Sequence, residues 1–351
     1  MRFGMHQFLA CPEGQAPHQR YREAIEQAVH AELLGFESVW PVEQHFDQRI
    51  SALSCPTLLL AAIAERTRTL RLGTGIVQLP LSHPLRVAEE IATLDVLSVG
   101  RVELGVGRGG NPLHFAGFGV SVHEGRERLE EGLQLIRRAW TQDNCWFAGK
   151  YYDAKDLSLS PRPIQWPHPP IRVAANSVDT ARWAGAAGYS ILAATNINPL
   201  PRLRQLLGAY HEGRAANGHP QAQPDDISLL MPMHVAASDE QARNELAPSV
   251  ARFATQAAGL TAKMAEKCAD DEERKRLMHL VGHLRNLDVG MVQDNMGVIG
   301  SPETCRSRLQ QIRVELNPGR VIGWFDFGGL VPHAQVLTSM QRFADYVLPY
   351  A

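Results

Sequence analysis

Three short stretches hold the residues able to do chemistry. The first is Gly105-Val106-Gly107-Arg108-Gly109-Gly110-Asn111. Glycines at the carboxyl end of a strand let backbone approach a ligand closely, and free N–H groups beside a guanidinium suit a phosphate. The same residues satisfy G-x-G-x-x-G, but a dinucleotide site needs an acidic residue ending the next strand about twenty residues on. Here that distance falls inside a predicted helix, at Glu124 or Glu127. The second stretch, Asn176-Ser177-Val178-Asp179-Thr180, follows the strand-like IRVAA and opens a helix. Its hydroxyls, Ser177 and Thr180, sit where free helix N–H groups face an anion, although ordinary N-capping accounts for the same serine. The third is Glu43-Gln44-His45-Phe46, just past a strand. An imidazole there titrates where acid–base work is done, while a lone histidine is more often structural. His83, before Pro84, reads as a helix cap.

The elements that position these stretches alternate almost throughout. Strands are predicted at Arg2–Phe8, Ser38–Pro41, Leu70–Leu79, Arg101–Val106, Ile171–Ala174, Tyr189–Ala193, Ile227–Ala236 and Arg320–Asp326. Helices are predicted at Arg20–Leu34, Pro56–Ala64, from Pro84 to near Gly100, and at His123–Trp140, Val178–Ala187, Leu200–Asn217 and Asp239–Ala257. Two more start at Ser301-Pro302, by the cap-then-proline rule, and at His333. Strands alternating with helices pair in parallel. Eight of them predict a single-domain (β/α)8 TIM barrel across 1–351, with a Trp-, Tyr- and Pro-rich insertion at about 141–170. A charged stretch at 261–288 shows no clear strand, and its run DDEERKR reads most simply as a solvated helix face. Such a barrel carries its site on the loops at the carboxyl ends of its strands, where all three stretches fall.

Composition narrows the function. A formal charge of -2 argues against nucleic acid or an anionic membrane as partner. The five cysteines are scattered, with no CxxC pair and no Cys/His zinc spacing, so no metal site is expected and a reduced, cytoplasmic setting is. MRFGMHQF reads as a strand rather than a signal peptide, and no apolar run is long enough to span a bilayer. HExxH, a GxSxG with downstream acid and base, and a P-loop lysine are all missing, so protease, simple hydrolase and kinase chemistry lack their residues.

Five segments in this order carry a wider likeness: MRFGMHQF, GFESVWPVEQHF, RLGTGIVQLPLSHPLRVAEEIATLDVLSVGRVELGVGRGG, AANSVDTARWAGAAG and GSPETCRSRLQQI. Over nearly its whole length the chain resembles the bacterial luciferase-like flavin monooxygenases, whose fold is a (β/α)8 barrel. The resemblance implies reduced FMN as cofactor, supplied by a separate flavin reductase, and oxygenation of a small organic substrate with O2 through a C4a-hydroperoxyflavin. It implies a homodimer as well. It places the phosphate against Arg108, Ser177 and Thr180, with Asn176 contributing through its backbone, and the isoalloxazine beside Gly75–Ile76, where relatives carry a non-proline cis peptide. Glu43, His45, Gly109, Gly110 and Asn111 would border the flavin. The 261–288 stretch matches the family's mobile lid.

Two departures matter. Gln44 stands where light-emitting members have a catalytic histidine, and Gly107 where they have a reactive cysteine, which would leave more room there. Both argue against aldehyde-dependent light emission and leave His45 as the nearest group for proton transfer. A deazaflavin-dependent oxidoreductase of the same fold and a non-catalytic flavin-binding protein are the alternatives. Phe8, Phe46, Phe115, Trp324 and Phe327 either line the substrate pocket or pack the core.

Overall fold

Period-two alternation in the eight apolar runs becomes eight parallel strands. The computed structural model describes residues 1–266, 268 and 270–351. In it β1 is Arg2–Gln7, β2 Ser38–Pro41, β3 Arg71–Gly73, β4 Val102–Gly107, β5 Ile171–Ala174, β6 Ser190–Ala194, β7 Ile227–Val235 and β8 Arg320–Trp324. They pair in chain order, and β8 closes onto β1 with Met5 opposite Gly323, giving a (β/α)8 barrel. The surrounding helices bury their apolar stripes against the sheet; Pro17–Leu33, for instance, turns Ala24, Ala28 and Ala31 inward.

Alternation also decides what fills the lumen. Trp40 of β2 lies inside, its indole N–H donating to Ser38 Oγ at 2.9 Å. Its ring occupies the space that side chains at Gly73 and, in part, Gly105 would need. A β-carbon at Gly105 would also collide with the Thr74 carbonyl. Thr74 cannot retreat easily, because its hydroxyl accepts from Gly105 N at 2.9 Å and donates to Gly105 O at 2.7 Å. Gly105→Ala is therefore expected to cost about 1–3 kcal/mol, the usual penalty for overpacking. A urea melt with an unchanged midpoint would refute this.

Beneath Trp40 the lumen is charged. Glu103 of β4 accepts from Arg71 Nε at 2.6 Å, Arg172 Nε at 2.8 Å and both Arg320 amino groups at 2.9 Å. Arg320 is held on its other edge by Glu37, at 2.9 and 3.2 Å. Every charge in this layer has a partner, which is how a buried cluster survives without water.

Several boundaries depart from the sequence reading. The expected strand Leu70–Leu79 is interrupted: after β3 the chain turns through a cis peptide at Gly75–Ile76, and Val77–Gln78 rejoins beside Val106 and Gly107 of β4. The helix expected to end at Ala257 runs from Asp239 to Glu266 with Pro248 inside it. Period-3.6 spacing of Leu246, Val250, Ala254, Ala258, Thr261 and Ala265 buries one face along that whole length. The insertion folds as an antiparallel hairpin, Cys145–Ala148 with Asp153–Leu157, whose Cys145, Phe147 and Tyr152 cover Leu135 and Ala139. A short parallel strand at Val298–Gly300 extends β7, and helix Pro112–Gly117 follows the glycine turn; neither was expected. Within 261–288, residues 267 and 269 lie outside the described residues; the others include the end of the long helix, up to Glu266, and a helix at Asp271–Arg285.

Candidate active site

The loops after β4 and β5 open side by side, since Val106 is paired with Val173. On the first loop Arg108 is exposed, Gly109 takes φ +73°, and nothing lies within 4 Å of a β-carbon placed on Gly110. On the second, Ser177 caps helix Val178–Ala186, accepting from Thr180 N at 3.2 Å, and its hydroxyl meets Thr180 Oγ1 at 2.9 Å. Capping and an anion-facing hydroxyl thus coexist in one residue. Asn176 braces the corner through its side chain, accepting from Ala194 N at 2.9 Å, while its carbonyl accepts from Asn198 Nδ2 at 3.0 Å. A second cation, not singled out in the sequence, completes the corner. Arg126 donates to Thr180 Oγ1 at 3.3 Å, stacks over Trp183 and pairs with Glu130. Nothing local in GRERLEE marks it; only the packing of Gly125 against Arg108 brings it there.

The third stretch is built around a carboxylate. Glu43 Oε1 meets His45 Nε2 at 2.9 Å, and Glu43 Oε2 accepts from Gln78 N at 3.2 Å. The Gln78 amide donates to Glu43 O at 2.9 Å and places its oxygen 3.1 Å from His114 Nδ1. His114 Nε2 in turn lies 3.3 Å from the His45 backbone N–H and 3.0 Å from Asn111 Nδ2. A backbone N–H can only donate, so Nε2 is the bare nitrogen and Nδ1–H donates to Gln78. Burial, reinforced by the neighbouring His45, holds His114 down to about 4, in keeping with that neutral form. His114 is therefore structural, whereas His45 Nδ1 makes no hydrogen bond among the described residues. Gln44 donates its backbone N–H to Leu53 O at 2.8 Å, tying this loop to the segment that leads into helix Pro56–Ala64.

Gly75 and Ile76 flank the cis peptide, as the resemblance implies. Gly107 does not leave more room: a β-carbon there would run into the Ile76 δ-methyl, which already fills that space. His83 accepts from Leu85 N at 3.3 Å and caps its helix as read. The aromatics divide. Phe8, Trp324 and Phe327 gather with Phe253 of the long helix, Phe46 and Phe118 flank His45, and Phe115 is core. The dinucleotide reading falls away, because Glu124 pairs with Arg128 and Glu127 with Lys150, with no strand ending there. Among the described residues no helix is long and apolar enough to cross a membrane.

This barrel, with its two polar corners, coincides with a known family. A family model described as luciferase-like monooxygenase matches residues 1–317. The chain belongs to that family. It is 29% identical to the oxygenase component of the flavin-dependent trigonelline monooxygenase of Acinetobacter baylyi, over 65% of this chain and 63% of that one. It is 34% identical to an F420-dependent glucose-6-phosphate dehydrogenase of Amycolatopsis mediterranei, over 56% and 60%. The crystal structure of monooxygenase RslO1 from Streptomyces bottropensis superposes with a TM-score of 0.81 at 28% identity, each chain fully covered. Relatives of this chain are thus oxidoreductases of two cofactor types, flavin and F420.

Proposed function

We propose that this chain is the oxygenase component of a two-component monooxygenase that takes reduced FMN from a separate reductase and oxygenates a small organic molecule with O2. The observation that carries this reading is the corner where the Arg108 turn opens beside the loop that bears the Ser177 and Thr180 hydroxyls at a helix N-terminus, with Arg126 bonded to Thr180 Oγ1. That donor set fits one terminal phosphoryl group. A deazaflavin coenzyme with a longer acidic tail calls for further basic residues, and Arg126 already shares its charge with Glu130.

Within the site, Arg108, Ser177 and Thr180 would hold the phosphate, with Gly109, Gly110 and Asn111 lining the turn, and the isoalloxazine would rest against Gly75–Ile76. Bound reduced FMN supplies, with O2, the oxidant that delivers oxygen to the substrate. The protein's part is to orient, exclude water and manage protons. Glu43 accepts the His45 Nε2 proton and so leaves Nδ1 as the atom that takes or returns one. The 261–288 stretch would cover the mouth when flavin is bound.

Arg108→Ala is expected to weaken FMN binding by about 1.5–3 kcal/mol, the worth of a charged hydrogen bond, or roughly 10- to 100-fold in Kd. Titration of FMN and of F420 into wild type and variant checks both the corner and the cofactor. Equal FMN affinity in the two proteins, or tighter binding of F420 by wild type, would overturn the reading. Delayed return of oxidised-flavin absorbance after mixing with reduced FMN and air, together with substrate oxygenation, separates an oxygenase from a flavin-binding protein without turnover.

A further inference from the structure

Two buried polar atoms in the upper lumen have no partner: His6 Nδ1 and Trp324 Nε1. Buried polar groups are almost always paired, so two orphans on neighbouring strands ask for an explanation. Their placement follows from alternation. Gly4 of β1 faces Ser38 Oγ and the Trp40 indole within the lumen, so His6, two residues on, faces the same way one layer higher. On β8, Arg320 lies in the charged layer, and Trp324 falls on the same face, two layers up. β1 and β8 are adjacent, and the His6 and Trp324 rings meet edge-on, centroids 5.3 Å apart. The pair are 3% and 4% exposed, so bulk water does not satisfy them.

Their hydrogen-bonding senses are opposite. His6 Nδ1 is unpartnered, and the Trp40 backbone favours a proton on the ring, as a carbonyl facing Nε2–H does. Nδ1 is then a bare acceptor, while an indole N–H can only donate. Burial holds the His6 imidazole down to about 4, against the opposing pull of the Trp40 bond, in keeping with a neutral ring. Beside the pair, Phe8 stacks on Trp324 with ring centroids 4.8 Å apart, and Phe327 and Phe253 stand edge-on to it.

We infer that His6 and Trp324 form the specificity floor of the chamber and seat the hydroxyl of a hydroxyaromatic substrate. The hydroxyl donates to His6 Nδ1 and accepts from Trp324 Nε1–H, and the ring rises from there toward the mouth past Phe8, the one partly exposed ring among Phe8, Trp324 and Phe327. No proton changes owner in this ground state, since a neutral, buried imidazole is a far weaker base than a phenolate. The inference deepens the oxygenase reading and rests on it for the role of the chamber, but binding can be read without flavin.

The test is calorimetric titration of the protein with 2-naphthol and with its methyl ether, which keeps the ring and the acceptor but has no O–H to donate. Wild type is expected to prefer the naphthol roughly tenfold. His6→Phe should abolish that preference, and His6→Asn, which returns an acceptor near the Nδ1 position, should restore part of it. Trp324→Phe should weaken both ligands, having lost the shared donor. FMN affinity, measured alongside, should match wild type in all three variants. Failure of FMN binding in wild type would strike the cofactor reading and leave the naphthol preference to be judged by itself. Equal binding of the two ligands by wild type, no binding of either, or an undiminished preference in a His6→Phe protein with a native melt would overturn the inference.

Discussion

Glu103→Gln is expected to cost the fold about 3–5 kcal/mol, the loss typical of breaking a buried ion pair from one side. The carboxylate is 2% exposed and answers Arg71, Arg172 and Arg320 at once. An amide of the same shape leaves those guanidiniums facing a dipole in place of a charge, and Glu37 reaches Arg320 but not Arg172. Burial alone would push the Glu103 carboxyl up; the Arg172 and Arg320 charges overcome it and hold the group well below the usual carboxylate range. The sign for stability follows. An unfolded glutamate titrates at about 4.3, so the native preference for the charged form contributes in full above that pH. It erodes as pH falls below it, toward the depressed native value. Denaturant midpoints measured from neutral pH down to strongly acid pH should fall more steeply for wild type than for the variant. Parallel acid limbs, or a loss under 1 kcal/mol at neutral pH, would show that the cluster contributes little.

His45→Gln is the second large effect expected. A glutamine amide can still donate to Glu43 from near the position of Nε2, so the loop should keep its shape, but it offers no second nitrogen to take a proton. Positioned acid–base groups are worth about 10²–10⁴-fold in rate. Substrate oxygenation should fall by that order while FMN affinity stays as in wild type, and the flavin should reoxidise without yielding product. Oxygenation within tenfold of wild type would remove His45 from the chemistry and return it to the structural role that a lone histidine most often has. Because Glu43 is pinned through its other oxygen by Gln78 N, the links from Glu43 through Gln78 to His114 should stay in place when position 45 is changed.

How far these expectations were legible before any fold was seen depends on range. The barrel was, because Val102, Leu104 and Val106 or Ile171 and Val173 carry their period in a few adjacent residues. The glycine turn, Ser177 and Thr180 could be placed at one mouth for the same reason: each directly follows a strand. What escaped depends on pairing across the sequence. Arg126 joins the corner through Thr180, 54 residues away, and Gln78 joins Glu43 across 35. The insertion hairpin was hidden because its alternation is short, with buried Cys145 and Phe147 set between exposed Trp146 and Ala148. At Gly107 the absence of a side chain was legible, but not that Ile76 had claimed the gap.

The salt-bridged layer and the Trp40 ring stopper the barrel from below. With that end closed, anything bound in the barrel above them would enter and leave by the carboxyl mouth alone. A molecule seated on His6 and Trp324 would then have to arrive before anything lying across the rim, and to wait for that outer guest to leave. Order of arrival, in such a vessel, is imposed by depth.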